Sequence, residues 1–279
     1  MSTGGLALLL TITPHRFKKI YTLGTILYIF DLVLFIILLT GIIARFLINR
    51  KAFKRSLKHP SEALFMPTFW LSLPTIIGGM QIYGVPHVGE WLPVTLRVLF
   101  WLYCACTTLV AVCQYYYLFL ARQLTAQSMT PVWILPIFPA MLTGTLASLL
   151  SPSQPPDQRL PMIVAGVAYQ GLGMLVSLLM YTMIIARLME YGLPGVNLRP
   201  GMFMCVGPPS FTALALIGMS NSLPRGYGYF ADNPEAINAL RAIALFTAIF
   251  LWAFAFWWFA IAVIGCLAAA KEMTFHLAW

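Results

Sequence analysis

The placement of proline constrains this chain more than any other feature. Long hydrophobic segments with prolines in their middle alternate with long hydrophobic segments at about 20–48, 94–121, 162–187 and 239–270, which have none. The interrupted segments carry Pro67 and Pro74, Pro136 and Pro139, and Pro208 and Pro209. Proline kinks a helix and releases a backbone carbonyl, which in hydrocarbon must face protein or water. The alternation therefore predicts kinked inner helices around a path and straight outer helices facing lipid.

The composition places the chain in a lipid bilayer. Of its 279 residues 60% are hydrophobic and 9% are charged, and the mean hydropathy is +0.84. A soluble domain has about a quarter of its residues charged. We therefore expect an all-α, polytopic bundle of helical hairpins that forms a single transmembrane domain over 1–279. The length leaves no room for a soluble catalytic domain of ordinary size.

The predicted spans begin with half a helix at 1–12, because a full span needs about 20 residues. The complete spans are expected at 20–48, 62–83, 94–121, 131–150, 162–187, 200–219 and 239–270. One loop holds six basic residues, Arg45, Arg50, Lys51, Lys54, Arg55 and Lys58. Short basic loops stay in the cytoplasm, which sets the orientation. The net charge of +9 is thus a topology signal, and no nucleic acid partner is indicated.

Polar residues inside the spans suggest contacts between helices. Asp31 and Arg97 are charged residues within predicted spans, where an ionisable group indicates either a function or a pair. We predict a structural Asp31–Arg97 pair, with Arg97 reaching the interface as the alternative. Gln81, Gln114 and Gln170 are expected to make hydrogen bonds between helices.

The residues expected to line the path are the interrupting prolines and their small, hydroxylated or aromatic neighbours. They are Pro67, Thr68, Ser72, Pro74, Thr75, Pro136, Phe138, Pro139, Thr143, Gly207, Pro208, Pro209, Ser210, Phe211 and Thr212. Hydroxyls and released carbonyls can replace an ion's hydration shell, and apolar rings can close a path by dewetting. The alternative is that these prolines and glycines serve helix packing.

No catalytic residue, cofactor or metal site is indicated. The sequence contains no phosphate-binding glycine loop, no HExxH motif and no nucleophile elbow. The cysteines lie in apolar segments without metal-ligand spacing, at Cys104, Cys106, Cys113, Cys205 and Cys266. The pattern favours a transporter or channel and gives no support for an enzyme.

Five stretches resemble a known family. They are Thr-Gly-Gly-Leu-Ala-Leu-Leu-Leu from Thr3, the segments His59–Trp70 and Gln114–Tyr117, and the more specific segments Thr130–Pro139 and Arg199–Thr212. Through them the chain resembles the tellurite-resistance/dicarboxylate transporter family, also called the voltage-dependent anion channel family. Within it the chain looks like the fungal transporters of C4-dicarboxylates such as malic acid. The likeness covers the whole chain.

The resemblance implies five helical hairpins, with odd-numbered helices lining a pore and even-numbered helices outside. It also implies a homotrimer with one path per subunit, a plasma-membrane location and small dicarboxylate anions as substrates. Relative to that pattern, the first half of the first helix and the last two helices are missing, so the chain is expected to be truncated at both ends. The family's gate, a phenylalanine on the ninth helix, has no counterpart here.

The leading hypothesis is therefore transport of malate-like dicarboxylates through a central path lined by the kinked helices. An anion channel or sulfite efflux protein of the same fold is the second reading. A seven-span receptor is the third, because seven spans are complete when the half helix is ignored. The fourth is a fragment that does not transport.

Overall fold

Helices and turns make up the described part of the chain. The computed structural model describes residues 1–13, 15, 17–49, 51, 60–121 and 125–274, and no strand occurs among them. In chain order the α-helices are α1 (Ser2–Ile12), α2 (Ile20–Ile48), α3 (Pro60–Phe65), α4 (Thr68–Gly79), α5 (Trp91–Ala121), α6 (Phe138–Leu150), α7 (Pro156–Tyr191), α8 (Gly207–Asn221), α9 (Tyr229–Asp232) and α10 (Glu235–Leu267). The all-α prediction is confirmed.

Proline divides the inner segments as the sequence predicts. Pro67 separates α3 from α4, and Pro74 lies inside α4. A 3₁₀ turn over Pro131–Ile134 precedes α6, and a 3₁₀ segment over Val196–Val206 precedes α8. Prolines also occupy the first turns of α6 and α8, where a missing N–H costs least. By contrast, α2, α5, α7 and α10 continue for 29, 31, 36 and 33 residues, and Pro161 near the start of α7 does not divide that helix.

Six segments of the described chain are long and apolar enough to cross a membrane. They are Ile20–Ile48, Ala63–His87, Trp91–Leu120, Pro156–Tyr191, Val196–Asn221 and Glu235–Leu267. The segment predicted at 131–150 is built differently, because its α-helical part, α6, has 13 residues. Helix α1 has 11 residues, fewer than a span needs.

The interrupted segments occupy the interior of the bundle. About 50% of the apolar window of Ala63–His87 and 44% of that of Val196–Asn221 is buried, against 11% for Ile20–Ile48 and 28% for Glu235–Leu267. Helix α6 is buried at every position except Leu149. Short, broken helices therefore form the core, and long, straight helices surround it, as the fold prediction states.

The outer helix α10 packs against the core mainly through small residues, together with Trp258. The buried stripe of α10 repeats every three or four residues and includes Ala244, Ala248, Ala255, Ala262 and Gly265. Small side chains let membrane helices approach closely, where van der Waals contact replaces the hydrophobic effect. The opposite face of α10 carries large exposed side chains, among them Phe246, Phe250, Trp252 and Trp257. These positions suit contact with lipid tails.

Candidate transport path

A tyrosine of an outer helix satisfies the carbonyl that Pro74 releases. The helical partner of the Trp70 carbonyl would be the N–H of residue 74, which proline lacks. The hydroxyl of Tyr103, on α5, lies 3.2 Å from the Trp70 carbonyl oxygen and 2.9 Å from that of Pro139. Tyr103 is 3% exposed, and its hydrogen bond to Pro139 is buried. One side chain thus holds two inner helices.

The same arrangement recurs at two other breaks. Gln114 Nε2, also on α5, donates to the carbonyl of Ala63 at 2.6 Å, four residues before the first interrupting proline. The Tyr181 hydroxyl, on α7, donates to the carbonyl of Cys205 at 2.8 Å, four residues before Pro209. The expectation that released carbonyls line the path is wrong at these positions. They accept hydrogen bonds from outer helices because an unsatisfied carbonyl in hydrocarbon is costly.

The first turns of the inner helices α4, α6 and α8 lie at the same depth along the bundle. Tyr103 binds the third residue of α4 and the second residue of α6. The Phe138 ring at the start of α6 packs against Gly207, since a Cβ there would lie 2.6 Å from its Cζ atom. Its centroid is 5.8 Å from that of Phe211 on α8. The positive ends of three helix dipoles are therefore grouped at one depth.

A buried glutamine joins α6 to α8 from outside. Gln170, on α7, is 1% exposed. One end of its side-chain amide lies 2.7 Å from the Met141 carbonyl and the other lies 2.8 Å from the Thr212 hydroxyl, and the amide is assigned with its nitrogen toward Met141 so that it donates to that carbonyl. The same hydroxyl lies 2.7 Å from the Pro208 carbonyl. The three predicted interhelical glutamines are confirmed, since Gln114 binds α3 and Gln81 accepts from Ser153 at 3.0 Å.

The structure places the predicted path residues at different depths of burial. Ten are buried: Pro67, Pro74, Thr75, Pro136, Phe138, Pro139, Thr143, Pro208, Pro209 and Thr212. Three are partly exposed, which are Ser72, Gly207 and Phe211, and two are exposed, which are Thr68 and Ser210. Buried members hold the helices together, whereas the exposed members can face a permeating anion. That the set lines a path stays a prediction.

Most of the hydroxyls in this set are already engaged. Thr68 donates to Phe65 at 2.7 Å, and Ser72 donates to Phe69 at 2.6 Å. Thr75 donates to the Ser72 carbonyl at 2.8 Å. Two hydroxyls of the set make no hydrogen bond to the described residues: that of Thr143, which is buried, and that of Ser210, which is exposed. An anion needs a donor, so Ser210 is the hydroxyl best placed to meet one.

The sequence analysis did not identify the other exposed residues on the same face of α8 as Ser210. On α8, Leu214 and Ile217 are 39% and 37% exposed, four and seven residues after Ser210. This spacing is that of one helix face. Phe203, also 37% exposed, lies outside this face, because it belongs to the 3₁₀ segment before α8 and its ring packs against Phe259 of α10. The signal was available in the sequence, but apolar residues at helical spacing are ordinary in a membrane helix.

Asp31 has a different partner from the one expected. Its Oδ1 atom accepts the backbone N–H of Gly4, on α1, at 3.0 Å, and its side chain is buried. A Cβ on Gly4 would lie 2.5 Å from Asp31 Oδ2 and 2.8 Å from Thr75 Oγ1. Asp31 and Arg97, both in the described part of the chain, form no ion pair, so that prediction is wrong. Asp31 instead fastens α1 to α2.

This contact gives a first testable prediction. Replacing Asp31 by leucine should lower the stability by about 1 kcal/mol, because the buried Gly4 N–H loses its acceptor. Asp31→Asn keeps an acceptor oxygen for Gly4 and loses only the carboxylate charge 3.8 Å from the Met1 amine, so it should cost less than the leucine variant. The thermal unfolding of detergent-purified protein measures the difference. Equal melting temperatures for the leucine and asparagine variants would contradict the assigned contact.

Comparison with known proteins supplies the family. The model of the voltage-dependent anion channel family matches residues 1–279. The malic acid transport protein of Schizosaccharomyces pombe is 35% identical over 268 residues, which cover 96% of this chain and 61% of that protein. A putative malic acid transport protein of the same organism is 34% identical over 284 residues, covering 100% of this chain and 65% of the relative.

A sulfite efflux pump is also similar. The SSU1 protein of Trichophyton rubrum is 27% identical over 271 residues, which cover 94% of this chain and 71% of that protein. The chain spans less than two thirds of the length of the two malic acid transport relatives. The family match extends from the first residue to the last, and the six apolar helices agree with it. This chain is a multi-pass membrane protein and belongs to the voltage-dependent anion channel family.

Proposed function

We propose that this chain serves the transport of C4-dicarboxylates such as malate across a membrane. The observation that carries the proposal is its 35% and 34% identity to two malic acid transport proteins, each over nearly the whole chain. Identity to the sulfite efflux pump is lower, at 27%. In this role the chain is a transporter and not an enzyme, and it needs no cofactor.

The path that we propose runs along the exposed faces of α4 and α8. It is supported by the grouped first turns of α4, α6 and α8, whose dipoles favour an anion at that depth. Helices α4, α6 and α8 contain no Lys or Arg. Neutral dipoles bind an anion weakly, which permits quick release. Basic residues at the cytoplasmic ends would attract anions to the mouth.

We extend the proposal to a homotrimer in the plasma membrane. The support for three subunits is the family resemblance, and the exposed aromatic face of α10 is available for either lipid or subunit contact. The mass of the assembly in a mild detergent tests this point separately. A single protomer mass under conditions that preserve transport would contradict the trimer and leave the substrate assignment intact.

A sulfite or anion channel is the second candidate. The favouring observation is the similarity to the sulfite efflux pump together with inner helices that lack a fixed cation. Both functions require the same path, so the substrate decides between them. A path without a charged recognition site selects weakly among anions.

The deciding experiment compares two substrates in cells that express this chain. Membrane insertion is first confirmed by immunoblot, and uptake of labelled malate is then measured beside sulfite tolerance. We expect malate uptake above that of an empty-vector control. Sulfite tolerance without malate uptake would replace the proposal by the second candidate. Inserted protein that moves neither substrate would contradict transport by this chain.

A charge placed at Ser210 tests the proposed path. Ser210→Asp should lower malate uptake about tenfold, because the new carboxylate repels the anionic substrate. Two like charges about 4 Å apart repel by roughly 1 kcal/mol in water and roughly 4 kcal/mol near a protein surface. Ser210→Lys is the matched control, since it also introduces a charge at this site but should not repel the substrate. Labelled-malate uptake at equal expression is the measurement. Equal losses in both variants would indicate a structural role for Ser210.

A further inference from the structure

A cavity of about 270 Å³ lies between the outer helices α5 and α7, beside the turn that precedes α6. Its walls are apolar and aromatic, and they include Tyr115, Phe119, Trp133, Met180 and Met183. The Tyr115 hydroxyl donates to the Trp133 carbonyl at 2.9 Å, so its polar atom is already engaged. The volume is near the lower end of small-molecule sites, roughly 300 Å³. It fits part of one acyl chain.

The cavity opens toward lipid. Phe119 and Met183, at its rim, are 69% and 43% exposed, on the outer surfaces of α5 and α7. Methionine is flexible and adapts to irregular apolar ligands. Both helices end nearby, at Ala121 and Tyr191, on the side that the basic loop assigns to the cytoplasm. The opening therefore belongs to the cytoplasmic leaflet.

Arg187 lies one helical turn beyond this opening. It follows Met183 by four residues and Met180 by seven, so the three share one face of α7. Its Nη1 atom donates to the Gly192 carbonyl at 2.7 Å, which fixes the guanidinium. Its Nε atom is buried and has no acceptor in the described part of the chain. Nearby Glu190 forms no ion pair with it among the described residues.

The Nε atom is enclosed by the protein, but the Arg187 side chain as a whole is partly exposed and its outer nitrogens lie where phospholipid headgroups begin. Arg187 precedes the end of α7 by four residues, or about 6 Å along the helix. The cytoplasmic leaflet contains anionic lipids, and their phosphate oxygens are strong acceptors for arginine. We propose that the cavity and Arg187 form a site for one anionic phospholipid, with an acyl chain in the cavity and the phosphate on Arg187.

The site lies outside the transport path and is independent of the proposed substrate. The acyl chain would contact Trp133, whose carbonyl Tyr115 holds, just before the break at Pro136. A lipid bound there would pack against the outer side of the turn that leads into α6, the most buried helix. A failure of lipid binding would leave the transport proposal unaffected.

Native mass spectrometry of the full chain tests the site. The protein is purified in an equimolar mixture of palmitoyl-oleoyl phosphatidylserine and palmitoyl-oleoyl phosphatidylcholine, and the retained lipid is counted. We expect one retained phosphatidylserine, preferred about fivefold over phosphatidylcholine, the size expected for one basic residue near the leaflet surface. Arg187→Gln should remove the preference. Arg225→Gln, in an exposed loop on the opposite side, is the control and should keep it.

A second pair of variants tests the acyl-chain cavity. Met180→Trp should fill the cavity and reduce retention of both lipids. Met189→Trp adds the same side chain at a position that is 83% exposed and outside the cavity lining, so it should bind like the wild type. An unchanged preference for phosphatidylserine in Arg187→Gln would overturn the headgroup assignment. Unchanged retention in Met180→Trp would overturn the cavity assignment.

Discussion

Replacing Gly173 by leucine is expected to prevent the accumulation of folded protein, whereas leucine at Gly171 should be tolerated. A Cβ on Gly173 would overlap Met141 Cβ and lie 2.9 Å from its Cα, so the α6 backbone would have to move. A Cβ on Gly171 would meet no heavy atom within 4 Å beyond its own stretch of helix. Overpacking a core costs about 1–3 kcal/mol even when side chains can adjust, and here the obstacle includes backbone.

The two glycines make a matched pair on one helix. Each variant adds the same side chain to α7, so differences in helix propensity or hydrophobicity cancel. Size-exclusion profiles of fluorescently tagged protein in mild detergent, followed by thermal unfolding, measure the folded fraction. We expect a monodisperse peak for Gly171→Leu and aggregate for Gly173→Leu. A normal peak for Gly173→Leu would contradict the packing of α7 on α6.

The proline pattern predicted the architecture because proline acts locally. Pro74 and Pro209 lack a backbone N–H whatever surrounds them. The inner and outer helices could therefore be assigned from the sequence. The burial of α6 could not be predicted in the same way. Its sequence is no more hydrophobic than that of α2. Its position is decided by which helices pack around it.

The partners of polar groups were harder to predict than their existence. Interhelical hydrogen bonds were expected for Gln170 and Gln114, and both make them. Asp31 was assigned to Arg97, yet it binds a backbone N–H of α1. Backbone groups are chemically alike along the chain, so spacing does not identify the one that a side chain will reach. The tyrosines at released carbonyls escaped prediction for that reason.

Replacing Tyr103 by phenylalanine should be the most damaging single-atom change in the bundle. It removes the hydroxyl that binds the Trp70 and Pro139 carbonyls and leaves the ring in place. Leaving a buried carbonyl unsatisfied costs about 1–3 kcal/mol, and the two carbonyls share the single hydroxyl proton of Tyr103. Because Tyr103 aligns the first turns of α4 and α6, malate uptake should fall with the melting temperature. Tyr116→Phe, at a position on the same helix that is 68% exposed, should change neither.

A double-mutant cycle with Pro74→Ala separates this explanation from a general loss of packing. Alanine at 74 restores an N–H that can donate to the Trp70 carbonyl within α4, so the carbonyl no longer depends on Tyr103. Tyr103→Phe should therefore cost less in the Pro74→Ala background than in the wild type, by about 1 kcal/mol of coupling. Melting temperatures of the four proteins give the coupling energy. Strictly additive effects would mean that Tyr103 stabilises the bundle without satisfying the carbonyl that Pro74 releases.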